Sequence, residues 1–161
     1  MSVRAVLFAV LAALAACSPM TADAGQKSAA AASARHPESG LQVVPLTIAT
    51  ANGRHAFRVE VARSGEEQAR GLMFRTAMGA NEGMIFPMEP ARQASFWMKN
   101  TVIALDLVFI GPDKRIESIA ANAVPYSLSP LSSKGNVSAV LELTGGRAAQ
   151  LGLAPGDVAS W

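Results

Sequence analysis

Few side chains in this 161-residue chain have the types that chemistry requires, and those few fall in short, separate segments. Asp106 is the most unusual of them. In Leu105-Asp106-Leu107-Val108-Phe109-Ile110, apolar residues occupy both faces of a strand, so a carboxylate there is expected to be partly buried. A buried charge must be paired or protonated, and Arg70, Arg75 and Lys99 are its candidate partners. One reading makes Asp106 a general acid/base or a ligand-orienting carboxylate with a shifted pKa. The favoured reading is structural: an internal ion pair, or a carboxylate capping loop amides. Glu142, in Val140-Leu141-Glu142-Leu143, is the second carboxylate. With Asp106 it would supply the acid and base of a hydrolase or transferase acting on cell-wall or polysaccharide material, a chemistry needing two carboxyls about 5–10 Å apart.

The cations and the tryptophan suggest binding instead. Arg70 and Arg75 flank Gly71-Leu72-Met73-Phe74, where two guanidinium groups could clamp a carboxylate or phosphate. Complementing a helix C-terminus is the plainer use of such charges. In Ser95 to Asn100, alternation puts Phe96 and Met98 on one face and Trp97 and Lys99 on the other. Trp97 beside Lys99 could stack a sugar ring or meet an anion. A tryptophan half-covered by a loop is the commoner arrangement, and it is favoured here.

Other chemistry is poorly supplied. His55 is the one histidine in the folded part, and no His/Cys cluster of zinc type, Walker loop, Rossmann fingerprint or nucleophile elbow occurs. Met73, Met78, Met84, Met88 and Met98 are dense enough to raise copper(I), but their irregular intervals favour flexible core filling. No cofactor and no metal are expected. Cys17 is the only cysteine, which leaves the folded part without disulfide or thiolate.

Cys17 follows Leu14-Ala15-Ala16 at the end of an apolar run that begins after Arg4. The run is shorter than the ~20 residues of a spanning helix, and the reading is a signal segment (1–17) with a lipobox. Lipidation of Cys17 would anchor the protein at the periplasmic face of a membrane, the outer one in a Gram-negative cell. The alternative is cleavage after Ala24, which would leave a soluble periplasmic protein. Residues 18–40, rich in Ala, Ser and Gly, are read as a disordered tether, and 41–161 as one domain. With 14 Lys and Arg against 12 Asp and Glu, scattered rather than clustered, nucleic acid is not an expected partner. A monomer meeting a small molecule or an envelope partner is.

The elements that must position these residues are short. Asn52-Gly53 separates two alternating runs, a hairpin signal. Ser64 and Glu67 form a capping box for a helix reaching about Leu72. Pro87 is expected to end a strand at Met84–Phe86, followed by strands at Ser95–Thr101, Leu105–Ile110, Arg115–Ala120 and Val137–Leu143. Between the last two, 122–135 reads as a loop. Thr144 is read as the cap of a brief helix ending at Gly152, with a last strand from Asp157. The pattern predicts a mainly β (β-rich α+β), antiparallel sandwich- or barrel-like domain with two short helices.

Three segments, Gln68 to Arg75, Phe96 to Ile110, and Val140 to Leu143 with Gly156-Asp157, resemble the family called domain of unknown function 192, with Gly83-Met84-Ile85-Phe86 between the first two. The resemblance runs from about 43 to 159. It implies a small, often exported β-rich domain and no specific activity. The resulting expectation is a ligand- or partner-binding accessory domain whose site comprises Arg70, Arg75, Trp97, Lys99 and Asp106. The carboxylate-based enzyme and a structural or assembly role are the alternatives.

Overall fold

The computed structural model describes residues 34–161. The signal segment, Cys17, Ala24 and most of the tether lie outside the described residues. Seven strands form one curled sheet in the order β5-β4-β6-β3-β2-β1-β7. They are β1 (Val43–Thr50), β2 (Gly53–Val61), β3 (Glu82–Phe96), β4 (Leu105–Ile110), β5 (Ile116–Ala123), β6 (Leu131–Thr144) and β7 (Val158–Ser160), with helices α1 (Gly65–Arg70) and α2 (Arg147–Leu151). The two edges of the sheet meet: Ala159 N–H donates to the Lys114 carbonyl and Ile116 N–H to that of Asp157, each at 2.8 Å. This is the expected β-rich domain with two short helices.

The hairpin β1–β2 turns at Asn52-Gly53 as its sequence dictates, and Ser64 and Glu67 close the capping box of α1. One pairing departs from the antiparallel expectation. β2 and β3 run parallel, Val59 opposite Gly83 and Val61 opposite Ile85. Parallel neighbours need a crossover, and residues 62–81, carrying α1, supply it.

Pro87 does not end its strand. β3 continues for 15 residues along β6, with a register shift between Pro87 and Arg92. Beyond Ile85 the other side of β3 has lost β2 as a partner, and a proline's missing N–H is tolerated where pairing is one-sided or bulged. The strand stops at Phe96, opposite Leu131 at the start of β6. With no partner beyond that point, 97–101 turns instead of extending, and Thr101 N–H bonds back to the Met98 carbonyl at 3.0 Å. The predicted 122–135 loop is shorter, because β6 begins at Leu131.

Ordered chain also reaches back before Leu41. Arg35 bridges Gln42, and Gly40 N–H donates to His36. The sheet buries apolar side chains on both faces. One face carries Leu46, Ile48, Val59, Val108 and Leu141, and α2 packs there through Ala148. The other carries Met84, Phe86, Leu107, Phe109 and Val140, with Leu72 packed against it.

Candidate functional site

Strand alternation decides what the two candidate carboxylates, Asp106 and Glu142, can do. In the β4–β6 ladder Asp106 stands opposite Leu143 and Leu107 opposite Glu142. Leu143 belongs to the first apolar face and Leu107 to the second, so Asp106 and Glu142 point to opposite sides of the sheet.

Asp106 is fully buried. Its Oδ1 accepts from the N–H groups of Asn122 (2.8 Å) and Gly146 (3.0 Å), and its Oδ2 from that of Ala148 (2.8 Å). Gly146 is the N-cap of α2, in a left-handed conformation with φ 82° and no side chain to offer. The cap therefore comes from Asp106 on β4 and not from Thr144, which the sequence suggested. A carboxylate at a helix N-terminus satisfies free amides and meets the positive end of the backbone dipoles. Of the two readings of Asp106, the geometry is that of the amide cap. Asp106 is buried and does not line the cavity described below, and the two-carboxylate hydrolase loses its geometry because the pair is separated by the sheet.

Glu142 sits differently. Its side chain is only 5 % exposed, and its carboxyl makes no hydrogen bond or ion pair with any of the described residues. Burial alone pushes its pKa up to about 8, so at neutral pH the group is mostly a neutral acid that can donate a hydrogen bond. It forms part of the lining of a cavity of about 390 Å³. Phe86, Met88, Leu72 and Phe96 give the walls an apolar character, while Arg70, Arg92 and Lys99 bring positive charge. Phe86 and Phe96 meet edge to face, their centroids 5.1 Å apart.

Local structure sets these groups in place. Gln68 Nε2 donates to the carbonyls of Ala62 (3.2 Å) and Pro87 (2.9 Å), fixing α1 to β3. Arg70 ends that helix, and Gly71 (φ 47°) passes over the Phe86 ring, where a Cβ would lie 3.4 Å away. Trp97 and Lys99 follow the end of β3, with Lys99 Nζ 5.2 Å from the Trp97 ring centroid. The turn makes both residues exposed and keeps Met98 buried.

The structure thus gathers Arg70, Trp97, Lys99 and Glu142 around one cavity and leaves Asp106 out. Arg75 does not line this cavity either. It is buried and forked onto Glu60, Nη1–Oε1 2.9 Å and Nη2–Oε2 3.2 Å, and its Nε lies 3.0 Å from Glu38 Oε2. Ser39 donates to the same Glu60, so this ion pair fastens the 35–41 turn to the sheet. His55 bonds Thr50 within the β1–β2 hairpin, far in sequence and topology from the cavity. Arg92 was missed by sequence reasoning. It is one exposed arginine in a segment expected to be irregular, and only the extension of β3 brings it beside the cavity.

Solved structures similar to the chain include two that share more than a third of their residues with it. A protein of unknown function from Novosphingobium aromaticivorans is 57 % identical, with a TM-score of 0.80, covering 82 % of this chain and 94 % of that one. A transcription-regulator candidate from Sinorhizobium meliloti is 37 % identical, with a TM-score of 0.73, covering 74 % of this chain and 94 % of that one. A comparison with curated proteins finds no match. Residues 47–161 match the family described as DUF192, Uncharacterized ACR. On that match, and on these relatives, the chain belongs to the DUF192 family.

Proposed function

We propose that this domain is a ligand-binding accessory domain of the cell envelope, and that its site is the cavity holding Glu142. The single observation behind this is a mostly buried carboxyl, without a partner among the described residues, that faces an open cavity. A buried polar group normally finds a partner, and one left without it favours a ligand that supplies the bond. The apolar walls suit a hydrocarbon or sugar-ring body, and Arg70, Arg92 and Lys99 suit an anionic end. A small acidic amphiphile meets all three requirements, with Glu142 donating to it as a neutral acid. Export, with Cys17 as a lipid anchor, belongs to the same proposal and rests on the lipobox reading alone.

The test is a thermal-shift titration at pH 6.5 with octanoate and N-acetylmuramate, on the native chain and on Arg70→Ala, Glu142→Leu and the Trp97→Ala/Lys99→Ala double variant. Binding raises Tm in proportion to RT ln(1 + [L]/Kd). The expected result is a saturable rise in the native chain that shrinks in all three variants. Equal rises in native and variant proteins, or none for either compound at millimolar concentration, would overturn the assignment.

A further inference from the structure

Exposed large apolar side chains are not spread evenly. Among the described residues Phe74, Trp97, Val124, Tyr126 and Leu128 are 52–67 % exposed, and all five lie on three loops at one end of the sheet. Backbone hydrogen bonds tie these loops together: Phe74 N–H to the Asn100 carbonyl (2.8 Å), Met98 N–H to Ser127 (2.9 Å) and Tyr126 N–H to Thr101 (3.1 Å). The three loops therefore adjoin as one patch, in which Trp97 and Leu128 line a common depression. Phe74 (φ 66°) and Tyr126 (φ 61°) hold left-handed backbone that bulky residues normally avoid, and their rings gain no burial in return.

The charged side chains within the three loops, Arg75 and Lys99, have one sign. Residues 71–81, 97–104 and 124–131 contain no Asp or Glu. Lys99 is exposed beside Trp97, Arg70 is exposed where α1 ends, and Lys134 is exposed near the start of β6. Val124, Tyr126 and Leu128 do not line the cavity, so a small ligand bound there leaves them uncovered. Amphipathic Trp and Tyr rings, aliphatic tips and an exposed lysine beside them are the combination that suits the headgroup layer of a bilayer.

We infer that this end of the domain docks onto an anionic lipid surface, with the aromatic and aliphatic tips of the three loops among the headgroups and Lys99 and Arg70 against lipid phosphates. This surface shares Arg70, Trp97 and Lys99 with the lining of the Glu142 cavity and adds Val124, Tyr126 and Leu128, which do not line it; it needs no anchor at Cys17.

The chain has two tryptophans, so Trp161→Phe leaves Trp97 as the only emitter in the full-length protein. Its fluorescence is measured with vesicles of phosphatidylcholine alone or with one-third phosphatidylglycerol, each carrying brominated acyl chains as quencher. Expected are a blue shift and quenching on the anionic vesicles. Lys99→Glu weakens the response at least about five-fold, the effect of one cation near an anionic surface, and Val124→Ser/Leu128→Ser also weakens it while the circular dichroism spectrum stays native. Vesicle-bound protein whose Trp97 is neither shifted nor quenched overturns the inference. So does the same shift produced without lipid by inorganic phosphate or by raising the protein concentration, the latter assigning the patch to a second copy.

Discussion

Asp106 and Glu142 lie on neighbouring, paired strands, one opposite Leu143 and the other opposite Leu107, and the sheet stands between their carboxyl groups. The same alternation that separates them gives each a different task. Asp106 meets three amides on the side where α2 packs, while Glu142 meets none and faces a cavity.

Removing Asp106 should cost stability and spare binding. Asp106→Ala leaves three amides without their acceptor, one of them the buried Ala148 N–H. An unsatisfied buried group costs about 1–3 kcal/mol, so a loss of roughly 3–5 kcal/mol is expected in urea denaturation. Ligand affinity in the fraction still folded should be unchanged.

Glu142 should make stability fall with pH. Its folded pKa near 8 exceeds its ordinary 4.5, so the folded state holds more protons between those values and stability declines as pH rises through that window. The neutral form's advantage is complete below about pH 4.5 and is lost as pH passes 8. Glu142→Gln, which cannot ionise, should flatten the curve. Its Tm relative to the native chain should rise from pH 5 to about pH 8 and then level off, each pKa unit being worth about 1.4 kcal/mol.

The buried fork between Arg75 and Glu60 should behave as a coupled pair. Arg75→Ala strands a buried carboxylate and is expected to destabilise by about 3–5 kcal/mol. Arg75→Met combined with Glu60→Gln should recover much of that loss in a double-mutant cycle. Neither change should move the response of Glu142 to ligand, because the fork serves the 35–41 turn.

Trp97 and Lys99 are exposed, and their joint replacement by alanine should change stability by less than about 1 kcal/mol. Chemical denaturation checks this, and it makes any loss of binding by the double variant a property of the site.

Local signals in the chain were legible where the chemistry was local. Asn52-Gly53, the Ser64–Glu67 box and Gly152 specify their turns and caps through contacts within a few residues. What could not be read depended on partners distant in sequence. Pro87 continues in its strand because β2 has already left that edge, and Trp97 leaves its strand because β6 begins only at Leu131. Thr144 was the obvious cap for α2, yet the carboxylate that does it comes from 40 residues upstream. The burial of Asp106 is legible in its apolar strand, whereas the three amides it caps come from segments 16 to 42 residues away. Glu142 was legible only as a carboxylate in an apolar strand. Its isolation follows from the register of β6 against β4, which puts it on the face opposite Asp106 and beneath Arg70 and Lys99 of other segments.

The most direct measurement is the titration of Glu142 itself, followed by the ¹³Cδ resonance of labelled glutamate, assigned by its loss in Glu142→Gln, with and without octanoate. A midpoint near pH 8, together with a resonance that moves saturably as octanoate is added, is the predicted result. A midpoint between about 4 and 5, the ordinary range of a solvated glutamate, with a resonance indifferent to the ligand, would contradict the account.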